Sequence, residues 1–356
     1  MAVVAALLSM GWLAHRKPWR QVFNSVHFVS FSPDGKKLAI IHYHARDQGV
    51  PGKHYVCNVS DTVALIDPTN LSNLTVVQHE YRPGDQGPGG NHRWFNHVEF
   101  APAGDLLYVH DQMTMRLRTW DIASGAWATN DKIGRSDVFD FKLSPDGNLL
   151  ATVSLSGVSI LNAKSQSPVF TRSDWSRCYA FSPDSKLFAV TKNNDVQIWD
   201  STQQKRIGTF HENHDILDGV SCVAIAPDSD TVAMRCNEGL SVFSILTGKE
   251  QAVLPEQFEV TRHANGGYGI RSSGPHTIGA RFSPDGKLLA AWGDYGVKLF
   301  DMSQGGKLQS AVSERGILCL SFSPGGKTYA TGDYYGKVTI RDTATGNELR
   351  SRIIEP

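Results

Sequence analysis

Histidine offers this chain its widest choice of chemistry, and its placement is uneven: nine of the 13 histidines fall in the first 110 residues. Imidazole can bind a transition metal or change its charge near neutral pH. His42, His44, His54, His92, His211, His214, His263 and His276 are therefore the first candidate site residues, with Arg93 beside His92. His42 and His44 share one face of any strand that carries them, and His54 could meet them across a hairpin. His211-Glu212-Asn213-His214 sets its histidines three apart in a loop-like stretch. It lacks the helical His-Glu-x-x-His spacing of zinc hydrolases, and a solvated turn accounts for it. No metal and no cofactor is expected.

A second constellation is Arg262-His263-Ala264-Asn265-Gly266-Gly267-Tyr268-Gly269-Ile270-Arg271. A phosphate cradle needs a strand before such a glycine-rich loop and a helix after it, and neither is present here. Arg and Tyr are favoured anchors at protein interfaces, so Arg262, Tyr268 and Arg271 read as partner contacts, with a plain connecting loop as the alternative. Gly-x-Ser-x-Gly is absent, which removes serine hydrolases of that type. The five cysteines are odd in number and contain no Cys-x-x-Cys pair, so neither a disulfide framework nor a zinc ribbon is written in the chain. Lys plus Arg equals Asp plus Glu at 35 each, which leaves no basic excess for nucleic acid.

The elements that must position these groups declare themselves by repetition. An apolar residue, then Ser or Ala, then Pro recurs at Pro33, Pro102, Pro145, Pro183, Pro227, Pro284 and Pro324, mostly followed by Asp-Gly or Asp-Ser. Ser-Pro-Asp-Gly suits the four corners of a type I turn. A second marker closes a later apolar run in each copy: Asp67, Asp121, Asn162, Asp200, Ser244, Asp301 and Asp342. The separations between the paired markers are 34, 19, 17, 17, 17, 17 and 18 residues. Four short antiparallel strands in each of seven units, at a period of about 40 residues, predict an all-β, seven-bladed β-propeller around a central channel.

The same spacing locates the insertions. The first copy carries extra residues between its second and third strands, around His44 to Ser60, and the intervals from Asp67 to Pro102 and from Ser244 to Pro284 are the longest between copies. Strands alternate in direction, so second-to-third loops and blade-to-blade loops leave at the same end of the ring. That face is the expected binding face, and it gathers His42, His44, His54, His92, Arg93, His211, Glu212, His214, Arg262, His263, Tyr268, Arg271 and His276.

Phe-Ser-Pro-Asp-Gly, then Trp120-Asp121 or Trp199-Asp200, then Ser124-Gly125 or Thr345-Gly346, resembles the WD-repeat propellers along nearly the whole chain. Trp ends the third strand in only two copies, and the Gly-His dipeptide near each repeat's start is missing, so the chain is a divergent relative of that pattern. The resemblance implies a platform on which other proteins assemble. It also implies that a histidine near the start of an innermost strand, such as His97, is structural.

Residues 1–22 stand apart from the propeller expected over 23–356. The apolar run of residues 2–14 is followed by His15-Arg16-Lys17-Pro18-Trp19-Arg20. It is too short for a spanning helix as written. It reads either as an anchor remnant that tethers the protein to a membrane or as a packed segment of a cytoplasmic one, even an outer strand closing the ring. Against the last stands Glu348 to Ile354, which already offers the final blade a fourth strand. The leading expectation is a monomeric, non-catalytic platform for a protein partner. The alternatives are a lactonase-type or hydrolase-type propeller enzyme or metal binder at the histidine-rich mouth, and the sensor of a membrane-tethered protein.

Overall fold

In the turn Ser32-Pro33-Asp34-Gly35 the glycine N–H donates to the Ser32 carbonyl at 2.8 Å. The Ser32 hydroxyl donates to Asp34 Oδ1 at 2.6 Å and accepts from the Lys37 N–H at 2.9 Å. Proline presets one corner while the serine and aspartate satisfy the polar groups that the corner exposes. The chain reverses, and the apolar runs on either side pair as antiparallel strands. The structure is a computed structural model that describes residues 22–47, 57–78, 95–111, 116–128, 138–154, 156–173, 176, 178–192, 195–203, 205–211, 222–236, 239–255 and 277–355. Among the described residues, no helix is long and apolar enough to cross a membrane.

The strands make seven four-stranded antiparallel sheets, each drawn from consecutive strands. Blade one is β1 (Val22–Phe31), β2 (Leu38–Asp47), β3 (Cys57–Ile66) and β4 (Asn73–Gln78). Blade two is β5 (Phe95–Phe100), β6 (Leu106–Asp111), β7 (Arg116–Asp121) and β8 (Ala126–Trp127). Blade three is β9 (Val138–Leu143), β10 (Leu149–Ser154), β11 (Gly157–Asn162) and β12 (Pro168–Arg172). Blade four is β13 (Tyr179–Phe181), β14 (Leu187–Lys192), β15 (Asp195–Asp200) and β16 (Arg206–His211). Blade five is β17 (Val223–Ile225), β18 (Thr231–Cys236), β19 (Gly239–Ser244) and β20 (Glu250–Pro255). Blade six is β21 (Thr277–Phe282), β22 (Leu288–Gly293), β23 (Gly296–Asp301) and β24 (Lys307–Val312). Blade seven is β25 (Ile317–Phe322), β26 (Thr328–Asp333), β27 (Lys337–Asp342) and β28 (Glu348–Ile353). This is the seven-bladed propeller that the marker spacing predicts.

Each second marker ends the third strand of its blade or, for Asp67, directly follows it, and its side chain explains why a polar residue stands there. Asp67, Asp121, Asn162, Asp200, Asp301 and Asp342 accept from backbone N–H groups two or three residues on, at 2.7 to 3.1 Å. Ser244 Oγ accepts from the Thr247 N–H at 3.1 Å. These side chains close the turn into the fourth strand.

The core follows from the repeat. A lone blade would leave two apolar faces in water, and seven apolar clusters remove them, each shared by two adjacent blades. First strands of neighbouring blades pack on one another at the hub. The ring closes between blades seven and one without exchanging a strand, because β28 is the fourth strand of blade seven. Val26, Val29 and Ile66 of blade one pack with Cys319, Val338 and Ile354 across this seam. A Cβ on Gly332 would lie 2.4 Å from Val26 Cγ1, so the backbones meet where a side chain has no room. Arg350 donates to the Pro68 and Thr69 carbonyls, and Arg352 donates to the Leu71 carbonyl at 2.7 Å.

One expectation needs correction. The stretch from His44 to Ser60 is read from the sequence as an insertion loop, yet β2 runs to Asp47, β3 starts at Cys57, and His44 pairs with Ser60. Much of the insertion lengthens the sheet instead. The three inner strands of blade one have ten residues where most strands have six. The extra four project roughly 14 Å at the strand rise of about 3.4 Å per residue.

Candidate functional site

The strand directions give the ring two unlike ends. At one end, the proline turns of successive blades touch around the ring, with Gly35 against Pro324, Gly104 against Pro33, Gly147 against Pro102, Gly286 against Pro227 and Gly326 against Pro284. In blades four and five the glycine position is taken by Ser185 and Ser229, at φ of 63° and 55°. Ser185 Oγ accepts from the Asp146 N–H of blade three at 3.0 Å, which continues the circle. The second-to-third connections and the blade-to-blade connections leave from the opposite end, as antiparallel pairing requires. The projecting hairpin of blade one stands there.

At this end the β26–β27 turn presents Tyr334 and Tyr335, 49 % and 65 % exposed, edge to face with ring centroids 6.1 Å apart. Asp333 holds the turn in shape, accepting from the Tyr335 and Lys337 N–H groups at 2.8 and 2.9 Å. Burial raises the Asp333 carboxyl pKa, against these bonds. The neighbouring β22–β23 turn carries Tyr295, whose hydroxyl lies 2.8 Å from Thr277 Oγ1. His211, at the end of β16, is exposed and pairs through Nδ1 with Asp195 Oδ1 at 2.8 Å.

The other histidines divide. His42 and His44 lie on one strand face as expected, with ring centroids 6.4 Å apart. They are buried, however, at 3 % and 5 % exposure, so they are interior groups of blade one rather than a surface offered to a partner. The cause is the seam: Ile40, on the same face of β2, packs on blade seven, and His42 is linked to blade seven through Asn24. His42 Nε2 meets Asn24 Oδ1, and Asn24 Nδ2 donates to the Ile354 carbonyl of blade seven at 3.1 Å. Burial, then the neighbouring His44 and His27 rings, pushes the His42 pKa down to about 4. His54, His92, Arg93, Glu212, His214, Arg262, His263, Tyr268, Arg271 and His276 lie outside the described residues, as do residues 2–14. Among the described residues, no three of His, Cys, Asp and Glu come together as a metal site.

A second set of polar groups lies at the hub. His97 stacks between Phe28 and Phe141 at centroid distances of 4.4 and 4.7 Å, and its Nδ1 is 2.9 Å from Asp140 Oδ1. Burial alone would raise the Asp140 carboxyl pKa, but the His97 ring and the Phe141 N–H hold it below the usual value. Asp140 nevertheless keeps 41 % of its side-chain surface open, because it faces the axial channel from within the ring. Glu99 and Lys142 pair at 3.5 Å one layer nearer the turns, beside a recess of about 340 Å³ walled by Phe100, Leu143, Phe181 and the turn prolines. Arg281 of β21 completes that layer. Burial lowers its pKa, and Glu99 opposes the shift.

Sequence reasoning overlooks these hub groups, although the repeat frame contains them. Counting three residues back from each turn proline gives Ser30, Glu99, Lys142, Ala180, Ala224, Arg281 and Ser321. Counting five back gives Phe28, His97, Asp140, Cys178, Cys222, Gly279 and Cys319. Charged residues at a position that other copies fill with Ala or Ser are the signal.

The molecule is thus a β-propeller with one end ringed by proline turns, one elaborated end and a polar hub. No known family profile matches the chain, and no curated protein matches it in sequence.

Proposed function

We propose that this chain is a non-catalytic platform of the WD-repeat kind that holds a protein partner against the end opposite the proline turns. The observation that supports the reading is the contrast between the ends. One is a uniform circle of turns that grip one another, while the other carries a projecting hairpin and a pair of exposed tyrosines on a braced turn. Tyr is a favoured interface anchor, since it gives large contact area for few rotatable bonds. Propellers in general lend themselves to this role, since the repeat carries stability and leaves connections free to vary. The ring closes within one chain, because β28 of this chain is the fourth strand of blade seven.

The test is affinity capture from native lysate with three baits. These are the full chain, the chain with residues 262–275 replaced by a short Gly-Ser turn, and a Tyr334→Ala/Tyr335→Ala variant. The expected result is a partner held by the first bait and lost or weakened at least tenfold with one of the others, at unchanged circular dichroism. Equal capture by all three baits, or capture by none, overturns the reading.

A further inference from the structure

The hub layer three residues before each proline has a repeated task. Ser32 and Ser144 N–H groups donate outward to the Lys37 and Leu149 carbonyls, at the entry to the second strands, at 2.9 and 2.8 Å. Hydrogen-bonding direction alternates along an antiparallel strand, so the preceding N–H groups, of Phe31 and Leu143, point to the axis. Each finds an acceptor on the previous blade: Ser321 Oγ at 3.3 Å for Phe31 and Glu99 Oε2 at 2.8 Å for Leu143. The slot works because Ser and Glu can accept.

In blade seven the same alternation holds, with Ser323 N–H donating to the Thr328 carbonyl at 2.8 Å. The Phe322 N–H therefore also points to the axis, but the slot on the previous blade is Arg281. Guanidinium has five donors and no acceptor. Two donors share a place that holds a donor and an acceptor between blades seven and one and between blades two and three, and among the described residues no side chain accepts from either. Lys142 occupies the equivalent slot of blade three, but its ammonium already has Glu99 at 3.5 Å. Arg281 makes no ion pair among the described residues and remains partly exposed to the channel. Gly279, two residues before it on β21, has no side chain, and Glu99, whose charge reaches Arg281, is already engaged by the Leu143 N–H and Lys142.

We propose that the axial channel binds an oxyanion, a carboxylate or a phosphate, between the Arg281 guanidinium and the Phe322 N–H. The anion supplies the acceptor that this slot lacks, and the planar fork of Arg suits either group. The site is independent of the partner face. A free small anion and an acidic side chain reaching down the channel share this chemistry.

The test uses the full chain labelled with 15N at its 16 phenylalanines, the Phe322 resonance being assigned by Phe322→Leu. Inorganic phosphate and acetate stand for a free anion, and N-acetylglutamate amide stands for an acidic side chain in a peptide. Each is titrated against chloride at matched ionic strength. The expected result is a saturable shift of the Phe322 amide with at least one of the three, while the Phe31 amide, already bonded to Ser321, stays in place. The tightest of the three identifies the source. In Arg281→Ser, which gives the slot an acceptor of the Ser321 kind, binding weakens at least tenfold. No saturable Phe322 shift in the unaltered protein overturns the proposal without recourse to any variant, and so does equal binding by a folded Arg281→Ser.

Discussion

Acid should loosen the ring at its seam, through one histidine. His42 is buried at 3 % exposure and belongs to the chain His42, Asn24, Ile354 carbonyl that joins blade one to blade seven. Its folded pKa falls from the usual 6.5 to about 4. Between those values the unfolded chain binds the extra proton, so stability is fully present above pH 6.5 and is lost as pH falls towards 4. The whole shift corresponds to about 3 kcal/mol, of which about 2.5 kcal/mol is gone by pH 4.5. Urea unfolding followed by tryptophan fluorescence at pH 7.5 and pH 4.5 measures it, in the native chain and in His42→Gln, whose side-chain amide can still donate to Asn24. Carboxylates that titrate in the same range contribute to both proteins and cancel in the difference. The native chain should lose about 2.5 kcal/mol more than the variant over this interval. Losses equal within about 0.5 kcal/mol would refute the reasoning, since no other substitution separates the two proteins.

Replacing Arg350 and Arg352 together by Met should lower stability by about 1–2 kcal/mol, as the seam loses charge-assisted bonds to the Pro68, Thr69 and Leu71 carbonyls; the midpoint of urea unfolding reports it. Ser229 holds a φ of 55° in a position that five other copies fill with glycine, so Ser229→Gly should raise stability by about 1 kcal/mol, read as a higher melting temperature. Gly147→Ala should cost about 1–2 kcal/mol, because φ is 73° and the new Cβ would lie 3.0 Å from Pro102. Asp333→Ala should cost about 2 kcal/mol by removing the acceptor of two backbone N–H groups. Amide hydrogen exchange at Tyr335 and Lys337 should rise in that variant while the proline turns stay protected.

The propeller was legible because its signals are local. A Ser-Pro-Asp-Gly corner and an Asx-closed strand end each specify their backbone from their own side chains, and seven copies in register leave one arrangement that buries both faces of every blade. The end that carries the insertions was legible for the same reason, since it needs only strand count and direction. The projecting hairpin was not. Its pairing is a tertiary choice between loop and added sheet, and His42-Tyr43-His44-Ala45 alternates polar and apolar residues no more sharply than many loops do. His42 and His44 were accordingly expected at a surface, and their burial in the folded ring is what lowers the His42 pKa. The hub groups were hidden differently. Glu99, Asp140 and Lys142 look like ordinary polar residues of amphipathic strands until the ring brings blades two and three together, which puts residues 43 positions apart at 2.9 Å.

The same physics separates the parts of this molecule that can change from those that cannot. The blade faces are matched to neighbours, so a substitution there disturbs two blades at once. The proline turns are bound to the turns beside them. What the repeat leaves unconstrained is the far end of each blade and the hub slots, where one acceptor per blade is useful but no particular residue is required. In this chain those are the places where the copies diverge most: tyrosines and a lengthened hairpin at one, Glu99, Lys142 and Arg281 at the other. A serine at position 281 would offer the Phe322 N–H an acceptor, as Ser321 does for Phe31. A half-buried arginine without an ion pair among the described residues does the opposite and carries a desolvation penalty. An acceptor delivered from outside the chain removes that penalty, which is why the binding of an oxyanion, rather than further stabilisation of the fold, is the outcome that the arginine favours.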